Sequence, residues 1–270
     1  MYEYIFNMKI FILPKQIIYL ICFICISSFL ILSYVLNTSS HATTLVKNSC
    51  ISEEFKERIS SLHRGTEKIA YLTFDDGPTP KVTPKILDIL KEENVKATFF
   101  VLGKCVSYYP EIVKRTYEEG HFIANHGYTH NNSRLYKTMD NFAQEIKDTD
   151  VEIAKAIGVD EYCSHVFRFP NGFTSPRYKS EKKEARKLLD KLGYAYIDWN
   201  CLNGDSEKKC SKSGLLNNLK KSAKNKGTLV ILMHDTADLN DSSAVLKDSI
   251  RFLKEEGYTF RTFQDLLNEK

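Results

Sequence analysis

Ile69-Ala70-Tyr71-Leu72-Thr73-Phe74-Asp75-Asp76-Gly77-Pro78 is the stretch from which the rest of the chain can be read. The run Ile69 to Leu72 is mostly apolar and leads to a Gly-Pro turn, the pattern of a buried strand. Side chains alternate along a strand, but at the turn that ends it both carboxylates can be aimed into one pocket. Two adjacent carboxylates there are costly unless something cationic lies between or beside them. The plainer reading has one aspartate capping the turn and the other in water, so the remaining strand ends must decide.

Outward from this stretch the pattern alternates. Apolar runs at 69–74, 96–102, 121–125, 165–169, 194–199, 228–233 and 258–260 read as strands. Helix-like stretches near 83–93, 108–119, 138–157, 178–192, 212–223, 243–256 and 262–269 separate them. Thr83-Pro84 supplies an N-cap and an early proline, and Thr262 stands three residues before Asp265. Gly120, Gly158, Gly193 and Gly257 fall just after helices, where a left-handed residue ends the helix. This alternation implies an α/β domain with a parallel sheet, open or closed into a barrel, over residues 67–270.

The unusual polar groups follow the strands: Asp75 and Asp76, then Asn125-His126-Gly127-Tyr128-Thr129-His130, Arg168-Phe169-Pro170-Asn171-Gly172, Asp198-Trp199-Asn200 and Leu232-Met233-His234-Asp235. In βα barrels the C-terminal lip is where sites are built, so five such groups converge on one pocket. His126 and His130, four apart, can present two imidazoles to one ion from a helical turn. With Asp76 or Asp75 they make a facial carboxylate-His-His set that leaves positions open for water and substrate. Arg168, on a strand end before a proline, reads as the partner of a buried carboxylate. His234 reads either as a satisfied core histidine or as a site residue, and Trp199 as core or as the wall of a sugar site.

Charge excludes one class of partner. The net charge is +4, with 43% hydrophobic and 27% charged residues, and Lys and Arg are interspersed with Asp and Glu. That is a solvated surface rather than a nucleic-acid stripe, so no nucleic acid is expected. Residues 16–36 carry no charge, and as a helix they span about 31 Å, the thickness of a hydrocarbon core. Lys9 and Lys15 precede this run and no Lys or Arg follows until Lys47. The expected order is therefore a cytoplasmic segment at 1–15, a transmembrane helix at 16–36, an extracytoplasmic tether at 37–66 and the domain outside the cell membrane. Cleavage near Ala42, giving a secreted protein, is the competing expectation, and Met8 competes with Met1 as the start. Of the seven cysteines, Cys22 and Cys25 lie in the apolar run, and the other five are an odd number without CxxC spacing; Cys201 and Cys210 are near enough in sequence for a local disulfide.

Together TFDDG, the HxxxH segment, RFPNG, the Asp-Trp pair and LMHD resemble the polysaccharide deacetylase family, the NodB-homology or carbohydrate esterase family 4 group, over about residues 67 to 268. The resemblance implies a distorted (β/α) barrel and metal-dependent removal of acetyl groups from cell-wall glycan, with N-acetylglucosamine of peptidoglycan foremost. N-acetylmuramic acid, poly-N-acetylglucosamine and chitin oligomers are the alternatives within that chemistry, and an inactive glycan-binding barrel is the alternative outside it. By matching position, Asp76, His126 and His130 would hold the divalent metal, zinc foremost, with cobalt, manganese or iron also suited. Asp75 would be the base, held by Arg168, and His234 the acid, oriented by Asp198. Trp199 and Leu232 would line the pocket for the acetyl methyl group, and the Asn171 N–H would face the oxyanion. Gly127 replaces the Ser or Thr frequent between the histidines, and Asn171 the common Tyr; both departures bear on substrate fit.

Overall fold

The computed structural model describes residues 51–236 and 239–269. The expected anchor and residues 37–50 of the expected tether lie outside them. Among the described residues no helix is long and apolar enough to cross a membrane.

Eight strands form one sheet: β1 (Ile69–Asp75), β2 (Thr98–Val101), β3 (Phe122–Asn125), β4 (Val166–Phe167), β5 (Ala195–Tyr196), β6 (Cys201–Leu202), β7 (Leu229–His234) and β8 (Thr259–Phe260). Ten α-helices accompany them among the described residues: α1 (Glu53–Ser61), α2 (Thr83–Glu92), α3 (Gly103–Tyr108), α4 (Pro110–Glu118), α5 (Asn132–Leu135), α6 (Met139–Ile157), α7 (Lys179–Lys191), α8 (Lys212–Ala223), α9 (Ser243–Glu255) and α10 (Phe263–Asn268). The strand order is β5-β4-β3-β2-β1-β7-β6, with β8 on the start of β1, and every pair is parallel. Among the described residues no ladder joins β5 to β6, so the curled sheet stays open at that seam. Register sets Asp75 between Phe100 of β2 and His234 of β7, which brings the strand ends to one lip.

Period-two alternation sorts the strand residues into two cores. Leu72, Phe74 and Phe99 face the outer helices, packing with Ile86, Leu90, Leu246 and Ile250. Tyr71, Phe100 and Val230 face the concave side. There they meet Phe55 and Ile59 of α1 and Phe263 and Leu266 of α10, with the Tyr71 and Phe263 rings stacked. The segment expected as a tether therefore contributes to the domain's own core. A fully buried Ile or Phe is worth about 1.5–3 kcal/mol, far more than a loose linker would contribute. The compact unit therefore takes in residues 51–66 as well as those from 67 onward.

Smaller expectations also change. β6, two residues long, is too short to leave a periodic signal. The helix expected near 108–119 is α4, while the short α3 before it was not expected; Tyr109 separates the two, since the Pro110 ring cannot continue a helix behind it. Thr262 and Asp265 form their capping box, but the Thr83 hydroxyl bonds Asp235 instead of capping α2. Cys201 and Cys210 are both free thiols, the first buried against α8.

Candidate metal and catalytic site

Arg168 explains how Asp75 is tolerated. Its guanidinium is fully buried and donates to Asp75 Oδ1 at 2.8 Å and to Thr73 Oγ1 at 2.6 Å. It also donates to the carbonyls of Ile197 (3.0 Å) and Asp198 (3.3 Å) and lies 4.0 Å above the Phe100 ring. Charge-assisted bonds of this kind repay the burial of both ions only when the remaining donors are satisfied, as they are here.

Asp76 follows in the left-handed region, φ 77°, and this turn sends its carboxylate to the same pocket as that of Asp75. Gly77 is obligatory beside it, because a Cβ there would stand 1.9 Å from the Asp235 carboxylate. The ligand atoms of Asp76, His126 and His130 all lie within 4.8 Å of one another. Asp76 Oδ1 sits 3.3 Å from His126 Nε2 and 3.4 Å from His130 Nε2, yet is buried without a hydrogen bond. His126 Nδ1 faces the Arg168 carbonyl at 2.8 Å, which makes Nδ1 the protonated nitrogen and leaves the Nε2 lone pair free. An orphaned carboxylate oxygen amid imidazole nitrogens fits a divalent cation, and the donor set suits zinc, cobalt, manganese or iron. The two histidines sit on a loop, not on the expected helical turn: Gly127 and His130 both have positive φ.

Burial opposes charge on Asp76, but the neighbouring His126, His130 and His234 hold its carboxyl well below the ordinary range. Burial likewise opposes charge on His126, and the Asp75 and Asp76 carboxylates outweigh it and raise its pKa. For His130 burial prevails, and its pKa falls.

His234 is held by a residue that carries no sequence signal. Its Nδ1 lies 2.7 Å from Asp205 Oδ1, and its backbone N–H donates to Asp205 Oδ2, also at 2.7 Å. Burial works against the imidazolium, but the bond to Asp205 and its charge raise the pKa to about 9. Asp198, expected in this role, does something else. Its carboxylate accepts from the backbone N–H groups of Phe173 (2.9 Å) and Thr174 (3.4 Å), and so fixes the loop after Arg168. Two aspartates lie in the stretch between β5 and β7, and only the one seven residues further on reaches the histidine. Asp235 is buried behind the site, its carboxyl raised to about 7 by desolvation, and accepts from the Thr83 hydroxyl at 2.7 Å.

The opposite wall is the loop 170–175. Asn171 (φ 63°) and Gly172 (φ 79°) are consecutive left-handed residues, and the Asn171 N–H has no partner among the described residues. Lys182 of α7, fully buried, donates from Nζ to the Gly172 carbonyl and to Ser175 Oγ, each at 2.5 Å. The Asn171 side chain is tied to Asn132 at 2.7 Å, bridging this loop to the histidine loop. Trp199 packs on Gly172, and Leu232 faces Thr73 on the concave side.

Comparison with known proteins agrees with this geometry. The family described as Polysaccharide deacetylase matches residues 63–197. The chain is 34% identical over 204 residues to peptidoglycan-N-acetylmuramic acid deacetylase PdaA of Bacillus subtilis, covering 76% of this chain and 73% of that protein. Over 205 residues it is 34% identical to peptidoglycan-N-acetylglucosamine deacetylase PgdA of Listeria monocytogenes, covering 76% of this chain and 40% of that one. Among solved structures, a CE4 esterase of Streptococcus mutans superimposes with a TM-score of 0.68 at 30% identity, over 80% of this chain and 92% of that one.

Proposed function

The chain belongs to the polysaccharide deacetylase family, and from that premise we propose that it hydrolyses N-acetyl groups of peptidoglycan, on N-acetylglucosamine, with a divalent metal at Asp76, His126 and His130. The observation that carries the reading is the convergence of that triad with a carboxylate paired to Arg168, Asp75, and an imidazole, His234, on facing positions of β1 and β7.

When bound, the metal acts as a Lewis acid toward the amide oxygen and makes water acidic enough to attack at neutral pH. Arg168 occupies Asp75 Oδ1 and leaves Oδ2 to accept the proton of the attacking water. His234, with Nδ1 engaged by Asp205, has Nε2–H to deliver a proton to the departing amine, which leaves poorly unless protonated. The Asn171 N–H faces the charge that develops on the carbonyl oxygen, a contribution the backbone makes whatever the side chain. Trp199 and Leu232 flank the methyl group. A dead barrel would have no use for this set intact.

N-acetylmuramic acid is the second reading, favoured by the similarity to PdaA over most of that protein's length. The uncharged run 16–36, with lysines only before it, supports an anchored domain outside the membrane. Peptidoglycan treated with the protein, digested and weighed as muropeptides, tests the function: loss of acetyl from glucosamine supports the first reading and loss from muramic acid the second. Intact acetyl groups on both, with metal bound, overturn it.

A further inference from the structure

We propose that Glu145 of α6 is the positioning residue that sets the geometry of the two histidine ligands. This rests on the metal triad proposed above.

The loop 126–130 has left-handed residues at Gly127 and His130, so no helix or strand ladder can satisfy its backbone. Several of its groups are met from outside. The His126 N–H donates to the Val101 carbonyl at 3.0 Å, and that of Gly127 to Asn125 Oδ1 at 2.9 Å. The carbonyls of Gly127 and Tyr128 accept from the first N–H groups of α3, Gly103 (3.1 Å) and Lys104 (3.0 Å). Gly103 must be glycine for this approach, since a Cβ there would lie 2.4 Å from the Tyr128 ring. Of the remaining amides, those of Tyr128 and Thr129 both donate to Glu145 Oε2, at 3.0 and 3.1 Å. The Thr129 hydroxyl donates to Oε1 at 2.7 Å, and Arg134 approaches that oxygen at 3.5 Å.

Glu145 is 3% exposed and lies on the apolar stripe of α6 with Phe142, Ile146, Thr149 and Ile153, where a carboxylate would be expensive without partners. It therefore acts as the acceptor the chain itself lacks between the two imidazoles. The position between the histidines is glycine here and brings no side-chain hydroxyl of its own, which concentrates the fixing of the loop on Glu145 and Thr129. Outer residues that orient metal ligands typically tune affinity by about 10- to 100-fold.

The test is Co²⁺ binding to the purified full chain, followed by its visible absorption spectrum and a titration below the melting range. Glu145→Ala, which orphans two N–H groups and a hydroxyl, is expected to weaken Co²⁺ by about 10- to 100-fold and to alter the spectrum. Glu145→Gln, whose amide oxygen can still accept both N–H groups while Thr129 turns to accept, is expected to regain most of the affinity and the wild-type spectrum. If Glu145→Ala does not fold, Thr129→Val, lacking one of the three donors, is read instead and should show a several-fold loss. Co²⁺ affinity within twofold of wild type in the variant read, with an unchanged spectrum, overturns the assignment. A His130→Ala control separates the premise: if it keeps the wild-type Co²⁺ spectrum, the triad itself is wrong.

Discussion

Asp205 Oδ1 stands 2.7 Å from His234 Nδ1, and its other oxygen accepts from the backbone N–H of the same residue. One carboxylate thus fixes both the position and the protonated nitrogen of the imidazole. Asp205→Asn is expected to lower kcat by about 10²–10⁴, the usual scale for a disabled general acid. The sign of the pH effect follows from the raised pKa. An acid works while protonated, so activity falls as pH rises through the His234 pKa, and loss of the Asp205 charge moves that limb to lower pH. A pH–rate profile of the variant with an unmoved basic limb would leave Asp205 without this role.

The adjacent aspartates should fail in different ways. Asp76→Asn exchanges a charged ligand for a neutral one and should lose metal, with partial recovery of rate in excess metal. Asp75→Asn keeps the triad and should retain metal while losing turnover that no excess restores. Metal content and rate across a metal titration distinguish the two; the opposite pattern would exchange their roles.

Ile59 is fully buried on the concave side of the sheet, among Tyr71, Phe100 and Val230. Ile59→Ala should destabilise the domain by about 2–5 kcal/mol, the range for deleting a core aliphatic side chain. A fragment starting at 67 should fold poorly for the same reason. Chemical denaturation measures the first, and a midpoint unchanged from wild type would show that α1 is dispensable.

Burial raises the Asp150 carboxyl to about 7, although Asn125 Nδ2 and the Tyr194 hydroxyl both bond it. The folded state therefore holds this proton more tightly than the unfolded chain, whose pKa is about 3.9. Its stabilisation is complete below about pH 4 and is lost as pH rises toward 7. Melting temperatures from pH 5 to 8 should fall more steeply for wild type than for Asp150→Asn. Parallel curves would show that Asp150 is ionised throughout.

The strand runs and strand ends were legible because each strand is a contiguous apolar segment closed by polar residues, and Arg168 beside a proline pointed to a buried carboxylate that the structure supplies as Asp75. What was not legible has a common physical cause. Asp205 follows a two-residue strand and a loop, so no period marks it, while Asp198 beside the tryptophan drew the role. α1 looked like tether since its composition is polar, although Phe55 and Ile59 stand four residues apart on one face. Glu145 did leave a trace, a charged residue on the apolar stripe of α6, at a position where solvent cannot satisfy it. Lys182 left none: the carbonyl of Gly172 and the hydroxyl of Ser175, ten and seven residues away, explain its burial.

Because α1 fills the concave side of the open sheet, the site of a proteolytic cut decides its effect. A cut before residue 51 would leave the described domain with its interior whole. A cut at the exposed residues His63 and Arg64 would instead leave Phe55 and Ile59 attached to the wrong fragment, and the hydrolase would lose part of its interior. Shedding and inactivation would then be separated by little more than one short helix.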